Sequence, residues 1–138
     1  MRRLFILTAS LFFIFSCSNQ AEEQVEEVKE EVSRPLIERK DGTYTEWYPG
    51  HKQMKVRGRE NEDGQRIGIW KAYSPNGVEL SVTVYTNDKK DGHIVVRHPN
   101  GAVHYVGEYM MDERVGEWRF YDETGTLIKE EYFGYPEN

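Results

Sequence analysis

The chain has 138 residues, 38% hydrophobic and 30% charged, with a formal net charge of −6. Its length suits a single domain, and its acidic balance argues against nucleic acid as a partner, since that affinity rests on lysine and arginine contacts with phosphate. One cysteine, Cys17, excludes an intramolecular disulfide.

Met1-Arg2-Arg3 supplies a positive start, residues 4–15 carry no charge, and Ser16-Cys17 follows. A basic start, an apolar run of about 7–15 residues and a small residue before the cut describe a secretory signal. A membrane-spanning helix needs roughly 20 apolar residues, more than this run offers. Ile14-Phe15-Ser16-Cys17 resembles the bacterial lipobox. The resemblance implies that the Cys17 thiol receives a diacylglyceryl group, that residues 1–16 are removed, and that the new amine is acylated, with palmitate among the acyl groups. The expected location is the bacterial cell envelope, most simply the outer membrane, facing the periplasm or the surface, with the membrane reached through lipid at Cys17. Loss of Arg2 and Arg3 would take the net charge from −6 to −8. So acidic a chain is not expected to bind anionic headgroups tightly.

Residues 17–40 read as the lipidated cysteine and an acidic tether. Residues 18–33 hold six glutamates, one lysine and no aromatic residue, too little apolar surface to offset the entropy of ordering. Val25, Val28 and Val32 lie three and four apart, so a short amphipathic helix is the alternative.

Residues 41–138 read as a repeat domain. Gly68, Gly92 and Gly116 are 24 residues apart, as are Gly77, Gly101 and Gly125, the trio Tyr85, Tyr109 and Phe133, and the trio Trp70, Ile94 and Trp118. A worn copy begins at Gly42, with Tyr44 and Trp47 standing 26 residues before Trp70 and Tyr73. About four units are therefore predicted, starting near 42, 68, 92 and 116.

Each unit reads as a β-hairpin. Residues 68–73 partly alternate in polarity, as a half-buried strand requires. Ser74-Pro75-Asn76-Gly77 has the residues of a type I turn in order, with glycine where φ is positive. His98-Pro99-Asn100-Gly101 repeats it, and Asp122-Glu123-Thr124-Gly125 keeps its ends. Residues 78–85 form the return strand, with Val78, Leu80, Val82 and Val84 on one side. Residues 87–92 and 111–116 read as the turns between hairpins. Tyr44, Trp70, Ile94 and Trp118 are predicted to line one face, flanked by Ala72, Val96 and Phe120. The charges of Lys129-Glu130-Glu131 in the last strand are suited to blunting an exposed edge.

This G-x-W-x-x-Y-x-x-x-G pattern, over residues 42–133, resembles the MORN (membrane occupation and recognition nexus) repeat in its bacterial form, also labelled YwqK-family antitoxin. The resemblance implies an all-β fold: an elongated open antiparallel sheet of consecutive β-hairpins, about two strands per repeat. The third copy departs from it, with Ile94 in the tryptophan column and Arg97 in the tyrosine column.

No enzyme chemistry is legible. There is no nucleophile elbow or phosphate-binding loop, and Glu130-Glu131 point to opposite faces of a strand, unlike carboxylates flanking one bond. The turn and repeat positions are reason enough for the glycines. His98 and His104 can pair across a hairpin, with His93 nearby and His51 elsewhere, but a zinc site needs three or four converging ligands. No metal, cofactor or small-molecule substrate is expected. Trp70, Trp118, Gly77, Gly101 and Gly125 are expected to be structural. Trp47, Tyr48 and Tyr105, outside the main ladder, are the candidate partner contacts, because tyrosine and tryptophan anchor interfaces. The expected function is a membrane-anchored, non-enzymatic protein-binding or scaffolding module. The alternatives are a structural spacer associating through its edges and an antitoxin- or immunity-type protein that binds a toxin.

Overall fold

The computed structural model describes residues 35–137. The expected signal, Cys17 and the first part of the tether lie outside them. Nine strands follow in order: β1 (Ile37–Lys40), β2 (Thr43–Trp47), β3 (Met54–Glu60), β4 (Arg66–Tyr73), β5 (Glu79–Thr86), β6 (Lys89–Arg97), β7 (Val103–Met110), β8 (Glu113–Tyr121) and β9 (Leu127–Phe133). They form one open antiparallel sheet in which every strand pairs with its sequence neighbour. The expected tether ran to residue 40, but Ile37–Lys40 pair with residues 43–46 and belong to the sheet.

From β4 onward two kinds of turn alternate, and the β3–β4 turn at Asn61–Gly64 has the glycine-ended form, Gly64 donating to the Asn61 carbonyl. Asp41-Gly42, Asn87-Asp88 and Met111-Asp112 all have positive φ at both residues, the signature of the two-residue type I′ turn that matches strand twist. Residues 87–92 and 111–116 were predicted to be turns throughout. Only their first two residues turn, and β6 and β8 begin at Lys89 and Glu113. Asp112 ties its turn to strand β6 twice over: its carboxylate accepts the Lys90 N–H, and its own N–H donates to the Lys90 carbonyl, both at 2.8 Å.

The three turns after β4, β6 and β8 follow the predicted pattern. Gly77, Gly101 and Gly125 donate to the carbonyls of Ser74, His98 and Asp122, at φ between 86° and 90°. Each is followed by a bulge, where Leu80, His104 or Ile128 has no opposite residue. That extra residue breaks the alternation predicted for Val78, Leu80, Val82 and Val84, and it brings Leu127, three residues before Glu130, onto the same face as Glu130.

The predicted ladder is present. One row crosses the sheet through Ile37, Glu46, Val56, Ala72, Ser81, Val96, Tyr105, Phe120 and Lys129. Beside it on the same face lie Tyr44, Trp70, Ile94 and Trp118, here called the indole face. Trp70, Ile94, Val115 and Trp118 are the buried apolar residues, and Trp118 is fully covered. The reverse face has a row of Thr45, Arg57, Lys71, Val82, Val95, Val106, Arg119 and Glu130, valines in the middle and charges towards the end strands.

Two glycines do something that turn geometry does not explain. Gly58 in β3 and Gly107 in β7 lie within strands and under an indole. A Cβ on Gly58 would sit 2.1 Å from Trp70 Cδ2, and one on Gly107 would sit 2.3 Å from Trp118 Cδ2. In the middle copy the corresponding residue is Thr83, opposite Ile94. Tryptophan thus goes with glycine and isoleucine with threonine, as close packing requires.

Candidate functional site

The aromatic ladder is built from three repeated columns. Trp70 and Tyr85 meet edge to face with centroids 6.2 Å apart, and Trp118 meets Tyr109 and Phe133 in the same way at 5.0 and 6.3 Å. Such geometry suits the ring quadrupoles. The two ladder indoles donate to main-chain carbonyls, Trp70 to Arg59 at 3.0 Å and Trp118 to Val115 at 3.1 Å. A third column was legible in the sequence and was not singled out: Arg66, Lys90 and Arg114, again 24 residues apart. Arg66 lies over Tyr85 at 4.1 Å, Lys90 over Tyr109 at 4.8 Å and Arg114 over Trp118 at 4.6 Å. A cation over an aromatic face is worth about 0.5–1 kcal/mol at exposed sites.

The three candidate contact residues do not form one patch. Tyr48 is half-buried and its hydroxyl donates to the Tyr73 carbonyl at 3.0 Å, tying the first hairpin to the second. Trp47 is also half-buried, with its ring 6.1 Å from that of His51. Tyr105 was placed outside the ladder by its sequence position. It lies within it, 6.0 Å from Trp118 and 5.9 Å from Phe120. The sequence could not show this, because the bulge at His104 sets which face Tyr105 takes.

Two of the open surfaces are candidates for binding. The first is a cleft of about 410 Å³ on the indole face, lined by Tyr44, Val56, Glu60, Trp70, Ala72 and Tyr85 among others. Tyr44 lies 5.2 Å from Trp70 with the two rings tilted at 37°, and the Arg39 guanidinium is 4.9 Å above it. Burial, and then the Glu46 carboxylate, hold the Tyr44 phenol above its ordinary pKa. Glu46 is paired with Lys55 at 2.6 Å and Glu60 with Arg39 at 2.8 Å. At the far side Arg66 bonds the Asp88 carboxylate at 2.8 Å, which lowers the Asp88 pKa.

The second surface is the β9 edge. Among the described residues no strand pairs with its outer side. Ile128 is 62% and Tyr132 74% exposed, with Leu127 and Tyr135 also open. The predicted edge charges are present but largely paired off, Arg119 with Glu130 at 3.2 Å and Lys129 with Glu131 at 2.7 Å.

The histidine pair forms, with ring centroids of His98 and His104 4.3 Å apart. His98 Nε2 lies 3.0 Å from the Tyr121 carbonyl, an interaction that ties neighbouring hairpins as Tyr48 does. Among the described residues no group of three or more histidine, cysteine, aspartate or glutamate side chains is placed to hold a metal.

No curated protein matches the chain. One solved structure, a mutant of S. aureus TarM in complex with fondaparinux, alpha-GlcNAc-glycerol and UDP, aligns with a TM-score of 0.43 and 11% identity over 79% of this chain. The aligned part spans 22% of that protein, and a likeness of this size bears on neither fold nor function. Residues 114–134 match the family model described as a MORN repeat variant. They are the β8–turn–β9 hairpin, so the chain carries a MORN repeat variant there, a unit that suggests a protein- or membrane-binding repeat module.

Proposed function

We propose that this protein is a lipoprotein anchored through Cys17 in the bacterial envelope, carrying a non-enzymatic repeat sheet that binds a protein partner through the β9 edge. The observation that carries the reading is the edge itself. An outer strand with unpaired main-chain groups and exposed Ile128 and Tyr132 offers both parts of strand addition: hydrogen bonds for affinity and side chains for selectivity. The residue pattern before Cys17 supports the anchor, and the outer membrane is the location proposed for it.

The edge also suits a second copy of this chain, which is the structural reading, or a toxin, which is the antitoxin-like one. A photo-crosslinking residue at position 132 of the full-length protein in intact cells separates them. A discrete heterologous adduct, lost when Ile128 is changed to glutamate, is the expected result. An adduct of twice the chain mass would favour self-association, and a toxin in the adduct would favour the immunity role. No adduct at all would overturn the edge as the binding surface. Labelled palmitate should enter the wild type and not Cys17→Ser; a labelled Cys17→Ser chain would overturn the anchor.

A further inference from the structure

The geometry points to the cleft beside Trp70 as a binding site for an aromatic ring, the side chain of a tyrosine or phenylalanine on a partner polypeptide. That the ring's carrier is a polypeptide rests on the protein-binding reading above; recognition of the ring does not. The repeat supplies the argument, because the other tryptophan copy has the same space filled.

A shift of 48 residues carries Trp70 onto Trp118 and Ala72 onto Phe120, and one of 49 carries Val56 onto Tyr105 and Glu60 onto Tyr109. Strand pairing preserves these equivalences: Val56 faces Ala72 as Tyr105 faces Phe120. Around Trp118 the rings of Tyr105, Phe120 and Tyr109 stand at 6.0, 6.4 and 5.0 Å and help to bury the indole completely. Around Trp70 the same three positions hold valine, alanine and glutamate, and the cleft of about 410 Å³ opens there. The rest of the wall is retained, with Tyr85 in place of Phe133 and Arg66 in place of Arg114. One half of the molecule thus carries within itself a copy of the occupied state of the other.

The chemistry of the wall selects the class of ligand. Val56 and Ala72 offer apolar surface, and Trp70, Tyr44 and Tyr85 line the cleft with aromatic rings, which favour offset or edge-to-face contact with another ring. Glu46 and Glu60 already have their own cations, Lys55 and Arg39, so the cleft does not call for a cationic ligand. A neutral ring fits this balance.

The test uses the full-length chain and its three indole N–H resonances, with Trp70 assigned from Trp70→Phe. N-acetyl-tyrosinamide is the probe. The expected result is a saturable shift of the Trp70 resonance at roughly millimolar concentration, the affinity of one small ring. The Trp118 resonance should stay put, and the ring should give nuclear Overhauser contacts to the Val56 and Ala72 methyls. Filling the cleft with Val56→Tyr and Ala72→Phe should abolish the Trp70 shift. Ala72→Leu should weaken it several-fold, with the unmoved Trp118 signal reporting an intact fold in both. No saturable shift in the wild type would overturn the site, as would an equal shift from N-acetyl-leucinamide. A shift produced by methyl glucoside in preference to the aromatic probe would overturn the ligand class. Failure of ring binding leaves the β9 crosslink untouched, so the two proposals fall separately.

Discussion

Adding one methyl group at Gly107 should damage the fold more than adding it at Gly58, although Gly58 has the closer contact. An alanine Cβ at 107 would lie 2.3, 2.4 and 2.7 Å from Cδ2, Cε2 and Cε3 of Trp118, where carbon atoms prefer about 3.5–4.0 Å. The indole would have to move by about 1 Å. It is enclosed by Tyr105, Tyr109, Phe120, Phe133 and Arg114, and its N–H is held by the Val115 carbonyl. Overpacking of this kind costs about 1–3 kcal/mol, and a strained indole hydrogen bond adds about 0.5–1.5 kcal/mol. The better strand preference of alanine returns about 0.5–1 kcal/mol. The net loss for Gly107→Ala is centred near about 2 kcal/mol, or roughly 8–16 °C in Tm for a domain of this size. At Gly58 the contact is 2.1 Å, but Trp70 borders the open cleft and can yield into it, so about 1 kcal/mol is expected. Thermal and urea unfolding of both variants would check this. A Gly107→Ala midpoint within a few degrees of wild type, or an equal fall for both, would refute the close-packing argument.

The middle copy offers the converse experiment. Ile94→Trp alone should destabilise by about 1–3 kcal/mol through overpacking against Thr83, and adding Thr83→Gly should recover at least half, giving a coupling of about 1 kcal/mol in a double-mutant cycle. Strict additivity would contradict the tryptophan–glycine pairing. Met111 adopts a φ of 48° in its turn, which a side chain without a local hydrogen bond tolerates poorly; Met111→Asn should raise stability by about 0.5–1 kcal/mol in urea unfolding. Asp122 accepts from the Thr124 hydroxyl and from the N–H groups of Thr124 and Thr126, and the first of these leads in holding its carboxyl below the ordinary 3.8. Because the folded pKa is the lower one, the stabilisation is complete above the unfolded value and is lost as pH falls through the folded value. Asp122→Asn should therefore narrow the stability difference between about pH 7 and pH 2, and an unchanged acid profile would argue against the turn carboxylate as its source.

Much of the candidate surface was hidden from the sequence for one reason, the bulges. A 24-residue period places Leu80, His104 and Ile128 in one column, but only the register shows that this column is unpaired and reverses parity beyond it. That is why Tyr105 looked like an outlying aromatic and proved to be part of the ladder. The Arg66, Lys90 and Arg114 column was present in the spacing and would have been found by looking two residues ahead of each repeat glycine.

By itself the sequence determined the local chemistry: the hairpin period, the type I turns at Gly77, Gly101 and Gly125, and a ladder of Tyr44, Trp70, Ile94 and Trp118. These follow from alternation and turn preference, which act over a few residues. Tertiary structure alone decided how neighbouring strands share volume. It set Gly58 and Gly107 beneath indoles, surrounded Trp118 with rings and left Trp70 beside a cleft. Such differences depend on which side chains meet across strands about 4.8 Å apart, a distance along the sheet that no local pattern encodes.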